Sequence, residues 1–186
     1  MVGLIGVLLF ASPTIGILVN SPVGEQFSGL YILGLNHKLQ DIPFNIKVGV
    51  PYSVYLGLHN EMGSSSYYTC FVKIRNETDL LPNATLGTSS TVPKLYEYNS
   101  FIANRENWEK PLTFQVNELT ITNGASRISS ITINGLIYSV NKESEWSSDK
   151  TGYYYNLFVE LWIYNSTFGV SQYHNRYVNL ILNMTQ

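Results

Sequence analysis

The residues able to do chemistry are few and scattered. His37, His59 and His174 lie far apart, and none has a second donor at metal spacing such as H-x-x-x-H. Each reads as an ordinary surface or turn histidine. The lone cysteine, Cys70, excludes an internal disulfide framework and any zinc site built from several cysteines. In a β-rich run it reads as a small buried hydrophobe. Glu143, Glu145 and Asp149 share one stretch with Lys142 and Lys150. Carboxylates can hold Ca²⁺, but the D-x-D-x-D spacing is missing, so a solvated loop is expected. There is no G-x-S-x-G, no Gly-rich loop followed by Lys-Ser/Thr, and no Cys-His pair with local support. The expectation is therefore no catalytic, metal or cofactor-binding residue, and no enzyme.

Two chemistries remain. Tyrosines cluster at Tyr67-Tyr68 and Tyr153-Tyr154-Tyr155. On alternate strand positions they should pack across strands with the hydroxyl reaching water, although an aromatic face could also stack sugars or a partner. Four N-glycosylation sequons begin at Asn76, Asn83, Asn165 and Asn183. With 18 Asn and 32 Ser or Thr in the chain, about three would arise by chance, so the count carries no weight. Position says more. Asn76, Asn83 and Asn165 fall in expected loops, where a glycosyl transfer enzyme could reach them, and are the expected modification sites.

Charged residues make up 13% of the chain and the net charge is −2. That removes the case for a nucleic-acid partner or a polybasic membrane patch. Asn, Ser, Thr and Tyr take the place of charge, so the surface must be largely neutral and polar.

The elements that must position these groups are strands. Short β-prone runs alternate with turn clusters from Phe27 onward: 27–33, 44–48, 52–58, 67–75, 95–102, 111–122, 127–140, 153–164 and 173–184. In Tyr67 to Arg75, the set Tyr68, Cys70, Val72 and Ile74 is the better core face. Asn134-Gly135 marks a two-residue hairpin turn. Residues 103–110 read as a turn or one helical turn, and 141–152 as a charged loop. Residues 76–93, rich in Pro, Ser and Thr, read as a loop or an excursion at a sheet edge. Eight or nine strands at this spacing, without an amphipathic helix, predict an immunoglobulin-like antiparallel β-sandwich.

Ahead of the strands, Val2 to Val19 carries no charge over eighteen residues, just enough to span the bilayer as a helix. Pro13 and three glycines weaken that helix, and the basic start and small-x-small site of a cleaved signal are missing. The β-branched run Thr14 to Val19 could instead add as a strand to another subunit's sheet. The predicted organisation is a hydrophobic segment, a membrane anchor, over 1–20 and an extracellular β-domain over 21–186.

Part of the chain resembles a known family. The residues concerned are Pro22, Gly24, Glu25, Phe27, Tyr31 to Gly34, Pro43, Asn45, Val48-Gly49 and Gly57 to Glu61. Their pattern is similar to archaeal predicted membrane proteins known as "domain of unknown function 1616". The match is good over about residues 18–75 and looser to the end. The resemblance implies an N-terminal anchor with an extracytoplasmic sandwich behind it, and carries over no activity and no catalytic residue. This chain departs from the pattern by starting inside what would be the last of several membrane helices.

The resulting expectation is a non-enzymatic protein at an archaeal cell surface, or an accessory subunit of a membrane complex. Its expected partners are membrane lipid, other proteins of the assembly and N-linked glycans, with no nucleic acid. It is expected in the cell membrane with its C-terminal domain outside. The alternative is a subunit of a surface filament assembled by donor-strand insertion of residues near 14–20.

Overall fold

The computed structural model describes residues 25–184, and the expectations for the hydrophobic segment 1–20 lie outside them. The described chain is all-β, with ten strands and no helix. They form one continuous sheet that curls until its two halves face each other across a single core.

The first half runs β1 (Phe27–Leu33), β3 (Tyr52–Glu61), β6 (Asn107–Thr122), β7 (Ala125–Ile133) and β8 (Leu136–Ser147), all antiparallel. The second runs β5 (Tyr96–Ile102), β4 (Ser66–Asn76), β9 (Gly152–Asn165), β10 (Val170–Met184) and the two-residue β2 (Asn45–Ile46). β8 joins the halves. Most of it pairs with β7, while Trp146 and Ser147 pair with Tyr153 and Gly152 of β9.

Period-two alternation decides the core. Val54, Leu56 and Leu58 of β3 and Leu112, Phe114 and Val116 of β6 face inward from the first half. Tyr68, Cys70, Val72 and Ile74 of β4 meet them, as their alternation predicts. Leu157, Val159 and Leu161 of β9 complete that face. Burial of such side chains is worth roughly 1.5–3 kcal/mol each. Tyr31 of β1 lies directly across from Gly57, so close that a Cβ there would sit 2.0 Å from its ring.

Three local expectations are corrected. Asn107 to Lys110 is not a turn but the start of β6, because its backbone pairs with His59 back to Leu56. Asn141 to Ser147 is not a solvated loop. It is the second part of β8, where Glu143 sits opposite Arg127 and bonds it at 2.6 Å. The run 44–48 shrinks to β2, which pairs with β10 in parallel, so the sheet is not wholly antiparallel. The Asn134-Gly135 turn is present with φ of 48° and 81° at its two residues, and Asn123-Gly124 repeats it between β6 and β7.

β9 is buried on both faces from Gly152 to Leu161. Its odd residues face the core. Its even residues face outward, where the chain between Glu77 and Leu95 doubles back over them. That excursion shapes the site.

Candidate functional site

The outward faces of β4, β9 and β10 form a floor in register. Arg75 pairs with Asn156 and Asn156 with Ile181; Lys73, Phe158 and Asn179 form the next row; Phe71, Glu160 and Tyr177 the next. The excursion is pinned on this floor by a buried ion pair. Glu160 is fully buried and its Oε2 lies 2.9 Å from Lys73 Nζ, whose side chain is 6% exposed. The pair is knitted into the excursion: Ser90 N–H donates to Glu160 Oε1 at 2.7 Å, and Lys73 Nζ donates to the Ser90 carbonyl at 2.9 Å. Trp162 Nε1 donates to Glu160 Oε2 at 3.1 Å. Every polar atom of the carboxylate is thus satisfied, the condition for keeping a charge inside a protein.

Where the excursion stops short, a groove of about 840 Å³ opens over the floor. That lies within the roughly 300–1,000 Å³ usual for small-ligand sites. Its floor is Arg75, Asn156, Asn179 and Asn183, and its walls include Phe44 and Tyr154, whose ring centroids are 6.3 Å apart. Asn179 Nδ2 donates to Asn156 Oδ1 at 3.2 Å, and Asn183 Nδ2 to Asn45 Oδ1 at 3.0 Å. Asn183 Oδ1 is buried and unpartnered. It fits against Gly152, where a Cβ would approach it to 1.8 Å. At the rim Lys150 and Glu77 pair at 2.8 Å. That hydrogen bond and Glu77's charge raise the ammonium's pKa. Arg75 uses Nη1 on the carbonyls of Glu77 and Asp79, leaving Nε buried and unpartnered. The sequence singled out Tyr154 in a tyrosine cluster, Lys150 in a charged run and Asn183 in a sequon, but not the groove they share. Asn156 on β9 and Asn179 and Asn183 on β10 become neighbours only through strand order.

Other titratable groups are occupied differently. Cys70 is buried, and burial pushes its thiol up to about 12, which removes the thiolate that reacts. His59 bonds Asn107 and Glu61, and His37 bonds Glu109 and stacks on Tyr55. His174 is not an ordinary surface histidine. Its Nε2 lies 3.0 Å from Ser28 Oγ, which lies 2.7 Å from the Tyr68 hydroxyl, which donates to Asn60 Oδ1 at 2.9 Å. Burial, then the Arg176 charge, lowers the His174 pKa. This Ser-His contact lacks the features of a nucleophile site. Ser28 is 1% exposed, and its hydroxyl is shared with a tyrosine. Tyr68 and Tyr155 also correct the tyrosine expectation, because their hydroxyls bond inside the fold, Tyr155 to Ser126, rather than reaching water. Among the described residues no group of three or more His, Cys, Asp or Glu could hold a metal ion. Among them, too, no helix is long and apolar enough to cross a membrane.

The sequons separate by environment. Asn76, Asn83 and Asn165 each accept, through Oδ1, the backbone N–H of the threonine two residues on. This is an Asx turn, which engages the oxygen and leaves the amide nitrogen as the group turned away from the local backbone. Asn83 is exposed and its Nδ2 has no partner among the described residues. The Nδ2 of Asn76 donates to the Glu143 carbonyl, and that of Asn165 to Gln172. Asn183 is 5% exposed on β10.

No family model matches the chain, and no curated protein matches it. Among solved structures it is similar to part of a β-glucosidase from Listeria innocua in complex with glucose. The two share 7% sequence identity with a TM-score of 0.36. The similarity covers 85% of this chain, which spans 16% of the other.

Proposed function

We propose that this chain is a non-enzymatic β-domain held at a membrane by residues 1–20 and exposed outside it. There it serves as a structural or protein-interaction component of a cell surface or membrane complex. In this reading the curled sheet is an immunoglobulin-like sandwich, its two halves stacked over one core. The observation that carries the proposal is the shared Asx-turn geometry of Asn83 in the excursion and of Asn76 and Asn165 at the ends of β4 and β9. The uncharged stretch Val2 to Val19 supports the anchor. Glycopeptide mapping of the protein from its native membranes tests it. The expected order of occupancy is Asn83 first, Asn76 and Asn165 below it, and none at Asn183. A chain without sugar at any of the three sequons contradicts it.

A second reading, a filament subunit, is favoured by one feature. Among the described residues nothing pairs with the outer edge of β10 between Val170 and Leu182, since β2 covers only Asn183 and Met184. A groove of about 460 Å³ runs along that edge, between Ile32, Ile42 and Pro43 on one side and Val178 and Leu180 on the other. Such an edge is a template for an added strand, and Thr14 to Val19 of a neighbour has the β-branched, apolar character to fill it. SDS-resistant polymers that dissociate when Ile15 and Ile17 are changed to Asp are the expected result of this reading. A monodisperse monomer of the full chain ends it.

A further inference from the structure

We infer that the groove on the outer face of β4, β9 and β10 is a binding site for an acidic saccharide, with Arg75 taking the carboxylate of a hexuronate unit. The inference stands apart from how the chain is anchored or assembled. It rests on what the groove offers and on what its residues lack. Arg75 is half-buried in the floor, with Nη1 bonded to two backbone carbonyls and with Nε unpartnered. Among the described residues no carboxylate pairs with it; Glu77 is held by Lys150 and Asp79 by Lys142. A half-buried guanidinium without an anion is free to take one, and its planar fork fits a carboxylate best.

The asparagines set the rest of the ligand. Asn156 and Asn183 are 6% and 5% exposed, so their amides are held in fixed orientations. Asn156 accepts from Asn179 through Oδ1, and its Nδ2 has no partner among the described residues, whereas Asn183 is engaged inside the fold, its Nδ2 on Asn45 and its Oδ1 against Gly152. Neutral amides on adjacent strands, about 5 Å apart, match sugar hydroxyls, each of which both donates and accepts. Phe44, 46% exposed, and the Tyr154 ring supply the apolar wall on which the C–H face of a pyranose lies. A hydrophobic ligand would leave the Asn156 amide N–H groups unpaired. A phosphate would use Arg75 but none of the amide ladder.

Calorimetric titration of the full-length chain with trigalacturonate, maltotriose and N-acetyl-diglycine tests this. Trigalacturonate should bind, and the other two at least about tenfold more weakly. Arg75→Gln should weaken trigalacturonate binding by about tenfold or more, as loss of a charge-assisted bond does. Since Arg75 also tethers the excursion, Asn179→Ala, an exposed position on the same floor, is the second variant. It should weaken binding several-fold in a chain that still unfolds in one cooperative transition, its midpoint lowered by no more than the loss of the bond to Asn156. The inference is overturned if trigalacturonate does not bind, or if both variants bind it like the parent. Equal binding of maltotriose removes the acidic requirement and overturns it. Equal binding of N-acetyl-diglycine makes the ligand a peptide carboxylate and overturns it as well.

Discussion

Replacing Glu160 by Gln should cost this domain about 3–5 kcal/mol, the loss seen when one partner of a buried ion pair is removed. The side chain is the same size and still accepts from Ser90 N–H, so no cavity forms. What changes is that Lys73 Nζ, in a side chain 6% exposed, loses its counter-charge at 2.9 Å and keeps only the Ser90 carbonyl. Against a total stability of about 5–15 kcal/mol for a domain, this is a large fraction. For a chain of this size it lowers the melting midpoint by roughly 6–20 °C. Urea unfolding followed by far-UV circular dichroism reads the free energy. Limited proteolysis should show the cut moving into residues 77–95, which the pair holds down. Lys73→Met combined with Glu160→Gln should recover most of the loss, because neither charge is then stranded. Lys94→Ala is the control: its pair with Glu97, at 54% and 42% exposure, should contribute less than about 1 kcal/mol. A Glu160→Gln cost as small as that control, or a double variant as unstable as the sum of the singles, would refute the reasoning.

His174 should impose a pH dependence. Burial and Arg176 lower its pKa in the folded state, so the unfolded chain binds the proton better. Stability is full above the unfolded histidine value of about 6.5 and falls as pH drops below it, until the folded state also protonates. His174→Gln should flatten the unfolding midpoint between about pH 7 and 5, while an unchanged slope would sink the assignment. Cys70 should give no reaction with Ellman's reagent in the folded protein and one thiol per chain in urea; rapid labelling of the native state would contradict its burial. Gly57→Ala should cost about 1–3 kcal/mol, because its Cβ meets the Tyr31 ring. Adding Tyr31→Ala should relieve that clash, and a neutral Gly57→Ala by denaturant titration would rule the contact out.

Periodicity made much of the fold legible. The alternation in β4 marked Tyr68, Cys70, Val72 and Ile74 as the core face, and that is how they lie. Asn134-Gly135 announced its hairpin, and Asn123-Gly124 carries the same signal. The misreadings have a common cause. Charged runs such as Asn141 to Ser147 look like loops, but a strand half-exposed beside Arg127 takes its charges on the outer face. Asn107 to Lys110 is likewise strand only because β3 lies beside it. The candidate groove was illegible for a stronger reason. Arg75, Asn156 and Asn179 sit on three strands, and only their order in the sheet makes neighbours of them. Glu160 inside an apolar run gave no sign of its partner, because Lys73 is on another strand and Ser90 in the excursion.

The most direct measurement of the central proposal is where the full-length chain sits in its own cells. After lysis, membranes are washed with alkaline carbonate, and protease is added to intact cells in a parallel sample. The account predicts that the chain stays in the washed membrane pellet until detergent is added, and that external protease cuts it on intact cells. A chain recovered soluble from the cytosol without detergent, and untouched by external protease, would contradict it.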